Sequence, residues 1–143
     1  MEQYAKVLGK PVRYRMLDTE GKPGTAVRKV QEAAQKSGMR FFAGGVLSSE
    51  ALATGKEAER LGGVFVTSAG ADELTGKDCN RATFLWPVPT FGAIERTVRP
   101  LIESMPKAKR WYTITPQYVF GDGLLSAAKA VFAEKGIEHV GNS

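Results

Sequence analysis

Apolar positions along this chain recur with two different periods, and the two alternate. In "VRYRMLD" (12–18), Val12, Tyr14 and Met16 alternate with Arg13 and Arg15, the pattern of a strand with one buried face. "TAVRKVQEAAQKSG" (25–38) changes to helical spacing, with Val27, Val30, Ala34 and Ser37 on one side and Gly38 as the stop. "MRFFAGGV" then reads as a buried strand, and 49–61 as a helix with Ala51, Leu52, Gly55, Ala58 and Leu61 facing inward. "GVFVTSAG" (63–70) is a further apolar strand ending in small residues, and "ATFLWP" (82–87) a short one closed by Pro87 and Pro89. The stripe Phe91, Ile94, Val98, Leu101 and Ile102 predicts a helix over 90–104. Pro100 lies within it, and proline in a helix interior costs about 3 kcal/mol, so a kink or an early end is expected there. After the polar stretch "MPKAKR" (105–110) comes a fresh unit. It holds strand 110–116, helix 122–135 with Leu124, Ala128, Val131 and Phe132 inward, Gly136 as its stop, and strand "IEHVG".

Strands alternating with helices of this length predict an α/β fold with a parallel sheet of βαβ units. Ligands of such sheets sit beyond the carboxyl ends of the strands, where helix N-termini point. Three strand ends stand out: 44–49, 67–71 and 115–121. The first, in "GVLSSEALATG", sets Ser48 and Ser49 at a helix start, where free N–H groups and the helix dipole receive an anion. The plainer reading is that Ser49 caps the helix, worth roughly 1 kcal/mol, and the two roles are compatible. "TSAGADELTG" is small and hydroxyl-rich, either a close approach for a ligand or an ordinary turn. "TPQYVFGDG" places Tyr118 and Phe120 at the third mouth, with Phe120 either covering a ligand or filling core.

Composition narrows the chemistry. With 143 residues, 43% hydrophobic and 24% charged, the chain is one domain's worth of packed core. It has no apolar run long enough to span a membrane, and "MEQYAKVLGK" has no signal-peptide core. The net charge of +5 invites a nucleic-acid partner, but the basic residues are scattered and form no single face, so none is expected. Cys79 is the only cysteine, which excludes an internal disulfide and a thiolate metal site, and the only histidine, His139, lies on a predicted strand far along the chain from the serines, so no serine nucleophile is expected. "AGGVLSSE" is neither G-x-S-x-G nor a Walker A loop. No enzymatic activity, metal or cofactor is therefore expected. Asp18, Thr19 and Glu20 could form an acidic pocket, but "DTEGKPG" favours a structural Asx turn. Trp86 and Trp111 lie on predicted strands and are expected in the core.

Three stretches together carry a resemblance: "DTEGKPGTAVRKVQEA", "GGVLSSEALATGKEAERLGGVFVTSAGADELTGKDCNRATF" and "KRWYTITPQYVFGDGLLSAAKAVFAEKGIEHVG". In their order and spacing the chain resembles the leucine/isoleucine/valine-binding type of periplasmic substrate-binding protein, from branched-chain amino-acid ABC transporters. The resemblance implies flavodoxin-like lobes, parallel sheets with helices on both faces, that close over a ligand without chemistry. It also implies a periplasmic location, a membrane permease as partner and an amino acid or similar carboxylate as ligand. By that resemblance Ser48, with Ser49 beside it, holds the carboxylate, and Ser68, Ala69, Gly70 and Ala71 supply further contacts. Phe120 falls where the family often has a tyrosine. An alternative is a free-standing flavodoxin-like interaction domain that binds no small molecule.

Members of that family are much longer and begin with a strand, a glycine-rich loop and a helix, whereas this chain opens at what looks like the end of that helix. Residues 1–105 are thus expected to be lobe 1 without its first strand, and 106–143 the start of lobe 2. In the flavodoxin-like order 2-1-3-4-5, the missing strand leaves a gap between 12–18 and 40–46. Unpaired backbone groups there are costly. "RWYTITP" or "IEHVG", from the same chain or from a second copy in a swapped homodimer, is expected to fill it. Weak binding is also expected. Two or three hydrogen bonds to a carboxylate gain roughly 1.5–3 kcal/mol each, against an association cost of at least about 4 kcal/mol.

Overall fold

The computed structural model describes residues 6–143. Lys6–Val7 (β1) and Lys10–Pro11 (β2) form a short antiparallel ladder. Leu8 and Gly9 turn it, with φ of 51° and 76°, the paired positive angles of a tight hairpin turn. Residues 6–11 are therefore a hairpin and not the end of a helix, while residues 1–5 lie outside the described residues. The expected strand over 12–18 does not form. The segment makes no ladder, because a strand is stabilised by the backbone beside it and nothing lies beside this one. The turn after it is as the residues suggest: Glu20 N–H donates to Asp18 Oδ1 at 2.9 Å, an Asx turn.

Helix α1, Pro23–Ser37, starts on a proline whose missing N–H costs nothing there. It buries Ala26, Val30, Ala33 and Ala34 and stops at Gly38, whose φ of 64° lets its N–H turn back to Ala33 O. Three parallel strands follow in the order β3-β4-β5: Phe41–Gly44, Val64–Thr67 and Thr83–Leu85. Phe42 aligns with Phe65 and Phe65 with Thr83, so these residues share the face covered by helix α2, Ser48–Arg60. The first core lies between them: Ala51, Ala58, Phe65, Ala69, Ala71 and Leu74, with Phe42, Leu52 and Leu85 at its rim. Packing is close enough that a methyl group at Gly55 would overlap Thr83 Oγ1. Helix α1 packs along α2.

The other face of this sheet is bare. Phe41, Val66 and Phe84 point out from it, and Trp86, expected in the core, is 86% exposed just past β5. Of the expected helices on both faces, the described chain supplies only those of one face to this sheet.

A second core starts at helix α3, Thr90–Ser104, and continues through strand β6, Arg110–Thr113, helix α4, Val119–Glu134, and strand β7, Glu138–Asn142. Strands β6 and β7 are parallel, with a register shift at Trp111/Tyr112. Ile94, Ile102, Ala127, Ala128, Val131, Phe132 and Ile137 form the core, lined by Val98, Trp111 and Leu124. Phe91 and Leu101 of the predicted stripe face solvent instead. His139, half-buried on β7, stacks 5.6 Å from Phe132 with Nε2 2.9 Å from Thr113 Oγ1. Helix α3 runs on past Pro100 to Ser104, because Ile94, Val98 and Ile102 anchor it on both sides of the proline. Arg99 ties it to α4, pairing with Glu95 and with Glu134 at 2.6 Å each.

The fold is thus α/β with parallel sheets, in two cores. The residues of α3 pack in the second core, so the two cores part near 86–89. Neither "RWYTITP" nor "IEHVG" fills the gap within the chain, since β6 and β7 pair with each other. The outer edge of β3 remains open, and a cavity of about 860 Å³ lies between it and residues 12–17.

Candidate functional site

Strands β3 and β4 run in register from Phe41/Val64 to Gly44/Thr67, so their carboxyl ends and the loops after them lie side by side. Thr67, 1% exposed, links the two: its Oγ1 donates to Gly45 O at 3.0 Å and accepts from Ala69 N at 3.1 Å. This fixes the small-residue loop 68–71 against the turn that leads into α2. Gly45 has a φ of 72°, and a side chain there would press on Phe65 and Ala51, so the turn needs glycine.

Both serines lie inside α2, not before it. Leu47 is the N-cap, with no side-chain capping bond, and the first helical bond runs from Ala51 N to Leu47 O. The capping reading of Ser49 is therefore overturned: a side chain within the first turn is past the position from which it caps. The N–H groups of this turn are the orphan donors of the helix start. Ser48 is 1% exposed, and its Oγ has no hydrogen-bond partner. A buried hydroxyl without a partner costs on the order of 1–3 kcal/mol. Ser49 is half-buried beside it.

On the neighbouring strand end, Ser68 is exposed, Ala69 and Ala71 are buried and Gly70 is partly covered. The cover is Phe120, which the second core's α4 carries in its first turn: a methyl group at Gly70 would stand 2.9 Å from its ring. Tyr118 flanks it, with ring centroids 6.1 Å apart. Phe120 and the 68–71 loop thus meet where the two cores touch, and Ser48 and Ser49 begin the helix that follows the turn Thr67 holds at Gly45.

The junction holds features that patterning did not single out. Thr90, at the start of α3, donates its N–H to Gly70 O at 2.8 Å and its hydroxyl to Asp72. Asp72 Oδ1 also accepts from Phe91 N at 3.1 Å, so a carboxylate of the first core sits on the N-terminus of the second core's helix. Beside it a cavity of about 430 Å³ is lined by Asp72, Glu73, Asp122 and Ser126. The only advance signal was the acidic pair following "SAGA" and the Asp in "FGDG". Among the described residues no group of acidic, His or Cys side chains is arranged to hold a metal ion.

A family model described as "Periplasmic binding protein" matches residues 2–143. No curated protein matches the chain. Among solved structures, an amino acid ABC transporter substrate-binding protein from Pseudomonas fluorescens Pf-5 is 63% identical, with a TM-score of 0.90 over 99% of this chain and 38% of its own. A periplasmic binding protein from Burkholderia mallei is 26% identical, with a TM-score of 0.87 and the same coverage. A solute-binding protein from R. palustris, solved with benzoate, shares the fold at 24% identity and a TM-score of 0.88, covering 99% of this chain and 39% of that one. The chain spans well under half the length of these relatives. On the match over nearly its whole length, the chain belongs to the periplasmic binding protein family.

Proposed function

We propose that this chain is part of the solute-binding receptor of an ABC transporter, taking a branched-chain or related amino acid, or a similar small carboxylate. The observation that carries this reading is the buried, unpartnered Ser48 Oγ beside the uncapped start of α2. An anion's oxygen supplies what that hydroxyl and those N–H groups lack. Ser68 to Ala71 add hydroxyl and backbone contacts, and Phe120 closes over them. The Pf-5 relative's name, at 63% identity, supports an amino acid as ligand. Such a receptor does no chemistry and needs no cofactor; it works in the periplasm and delivers to a membrane permease. The first core corresponds to lobe 1 and the second, from α3 onward, to the start of lobe 2. A homodimer completes the open sheet.

Calorimetry with leucine, valine and benzoate tests this. Millimolar binding that Ser48→Ala abolishes is expected, because the chain offers one half of a closing site. Micromolar affinity would refute the half-site estimate. Binding unaffected by Ser48→Ala would move the ligand elsewhere. Absence of any binding favours the second reading, an interaction domain, for which the bare apolar face at Phe41, Phe84 and Trp86 speaks.

A further inference from the structure

Thr67 is the residue on which both candidate solute loops converge, although it is itself buried. It is the last rung of β4 on either side, opposite Gly44 of β3 and Leu85 of β5. Its carbonyl also accepts from Trp86 N–H at 3.0 Å. A strand paired on both edges is held more firmly than the loops beyond it. The side chain is 1% exposed and, being β-branched, has few rotamers open to it.

The loops it serves have little stiffness of their own. Gly44 and Gly45 have φ of 129° and 72°, angles open to glycine, whose freedom makes one fixed shape costly to hold. Ala51 is the first apolar residue of α2 in the core, and it comes after both serines. The loop 68–71 meets the core through Ala69 and Ala71, whose methyl groups give contact without direction. A hydrogen bond gives direction. Thr67 Oγ1 supplies one to each loop, donating to Gly45 O at 3.0 Å and accepting from Ala69 N–H at 3.1 Å. Beyond ladder and helix bonds, Gly45 and Val46 have no other hydrogen bond among the described residues.

Resting on the receptor reading above, we propose that Thr67 is a positioning residue of the solute site. Its hydroxyl sets the start of α2 and the 68–71 loop in register, so that both meet one solute. With its proton committed to Gly45 and the side chain enclosed, it touches no solute itself. Loops that are not held in this way must be ordered on binding, which weakens affinity.

Titration of the chain and its variants with leucine, valine and benzoate, followed by amide NMR shifts alongside urea denaturation, tests this. Thr67→Val keeps the shape and removes both bonds. It should weaken binding by the folded chain about tenfold, the worth of one hydrogen bond. The factor should be the same for every acid that binds, because Thr67 touches none of them; a factor that differs between acids makes Thr67 a contact and overturns the proposal. Thr67→Ser keeps the hydroxyl and should bind as the wild type does, even where loss of the methyl group lowers the urea midpoint. If Thr67→Val does not fold, Thr67→Cys takes its place: a thiol bonds weakly, so binding weaker than that of Thr67→Ser is expected. A Thr67→Val or Thr67→Cys chain that binds as tightly as Thr67→Ser, whatever its stability, overturns the proposal and makes the hydroxyl purely structural. Thr67→Ser binding as weakly as Thr67→Val also overturns it. If Ser48→Ala still abolishes binding in those cases, the receptor reading stands. No binding by the wild-type chain, or binding indifferent to Ser48→Ala, overturns both.

Discussion

Ser48 is the residue whose surroundings say most about the site, because its hydroxyl is buried and makes no bond. If nothing in the protein depends on that oxygen, Ser48→Ala should leave the folded chain at least as stable as before in urea denaturation, while removing ligand binding. A loss of about 1 kcal/mol or more would mean the hydroxyl has an internal partner, and the site reading would fall. The pair at 48–49 was legible in the sequence because a glycine turn, two hydroxyls and a helical period follow one another within a few residues. Its boundary was not, since the choice between cap and first turn depends on the φ and ψ of Leu47, which composition does not determine. The contact of Phe120 with Gly70 was also illegible from patterning. It joins positions fifty residues apart, and only the resemblance placed them together.

The helices were read well because each carries its own period and its own stop, as with Gly38 and α1. Residues 12–18 show the opposite case: the alternation is plain, yet a strand exists only when another backbone pairs with it. Pro100 shows tertiary packing overriding a local penalty. The contact between α3 and α4 carries a charge cluster whose effect on pH can be stated. Hydrogen bonds from Arg99 hold the Glu95 and Glu134 carboxyls below their ordinary value of 4.5 in the folded chain. Such groups favour folding above that ordinary value, and the contribution is lost as pH falls through the depressed values. The wild-type urea midpoint should therefore fall steeply on acidification below about pH 4.5. In Arg99→Gln it should start lower at neutral pH and fall less over that window. Parallel curves for the two proteins would show that the cluster contributes nothing, as many exposed pairs do.

At the scale of the molecule, two cores with little shared interior should unfold separately. Phe132, 2% exposed, stacked on His139 and tilted against Trp111 at 6.0 Å, belongs wholly to the second. Phe132→Ala should cost that core about 3–5 kcal/mol and shift the transition seen by Trp111 fluorescence. The exchange protection of amides in α2 should stay as it was. Coincident shifts in both would show a single cooperative unit. The division itself was hidden from the sequence, which marks polar linkers, whereas the real divide is a short proline-bounded stretch with an apolar tryptophan. Across that divide reaches the Asp72 carboxylate, seated on Thr90 and Phe91. On the receptor reading proposed above, this latch is where one half is held to the other, and an uncharged side chain at 72 should loosen that hold and change the affinity for the solute while the groups at 48–49 and 68–71 stay in place.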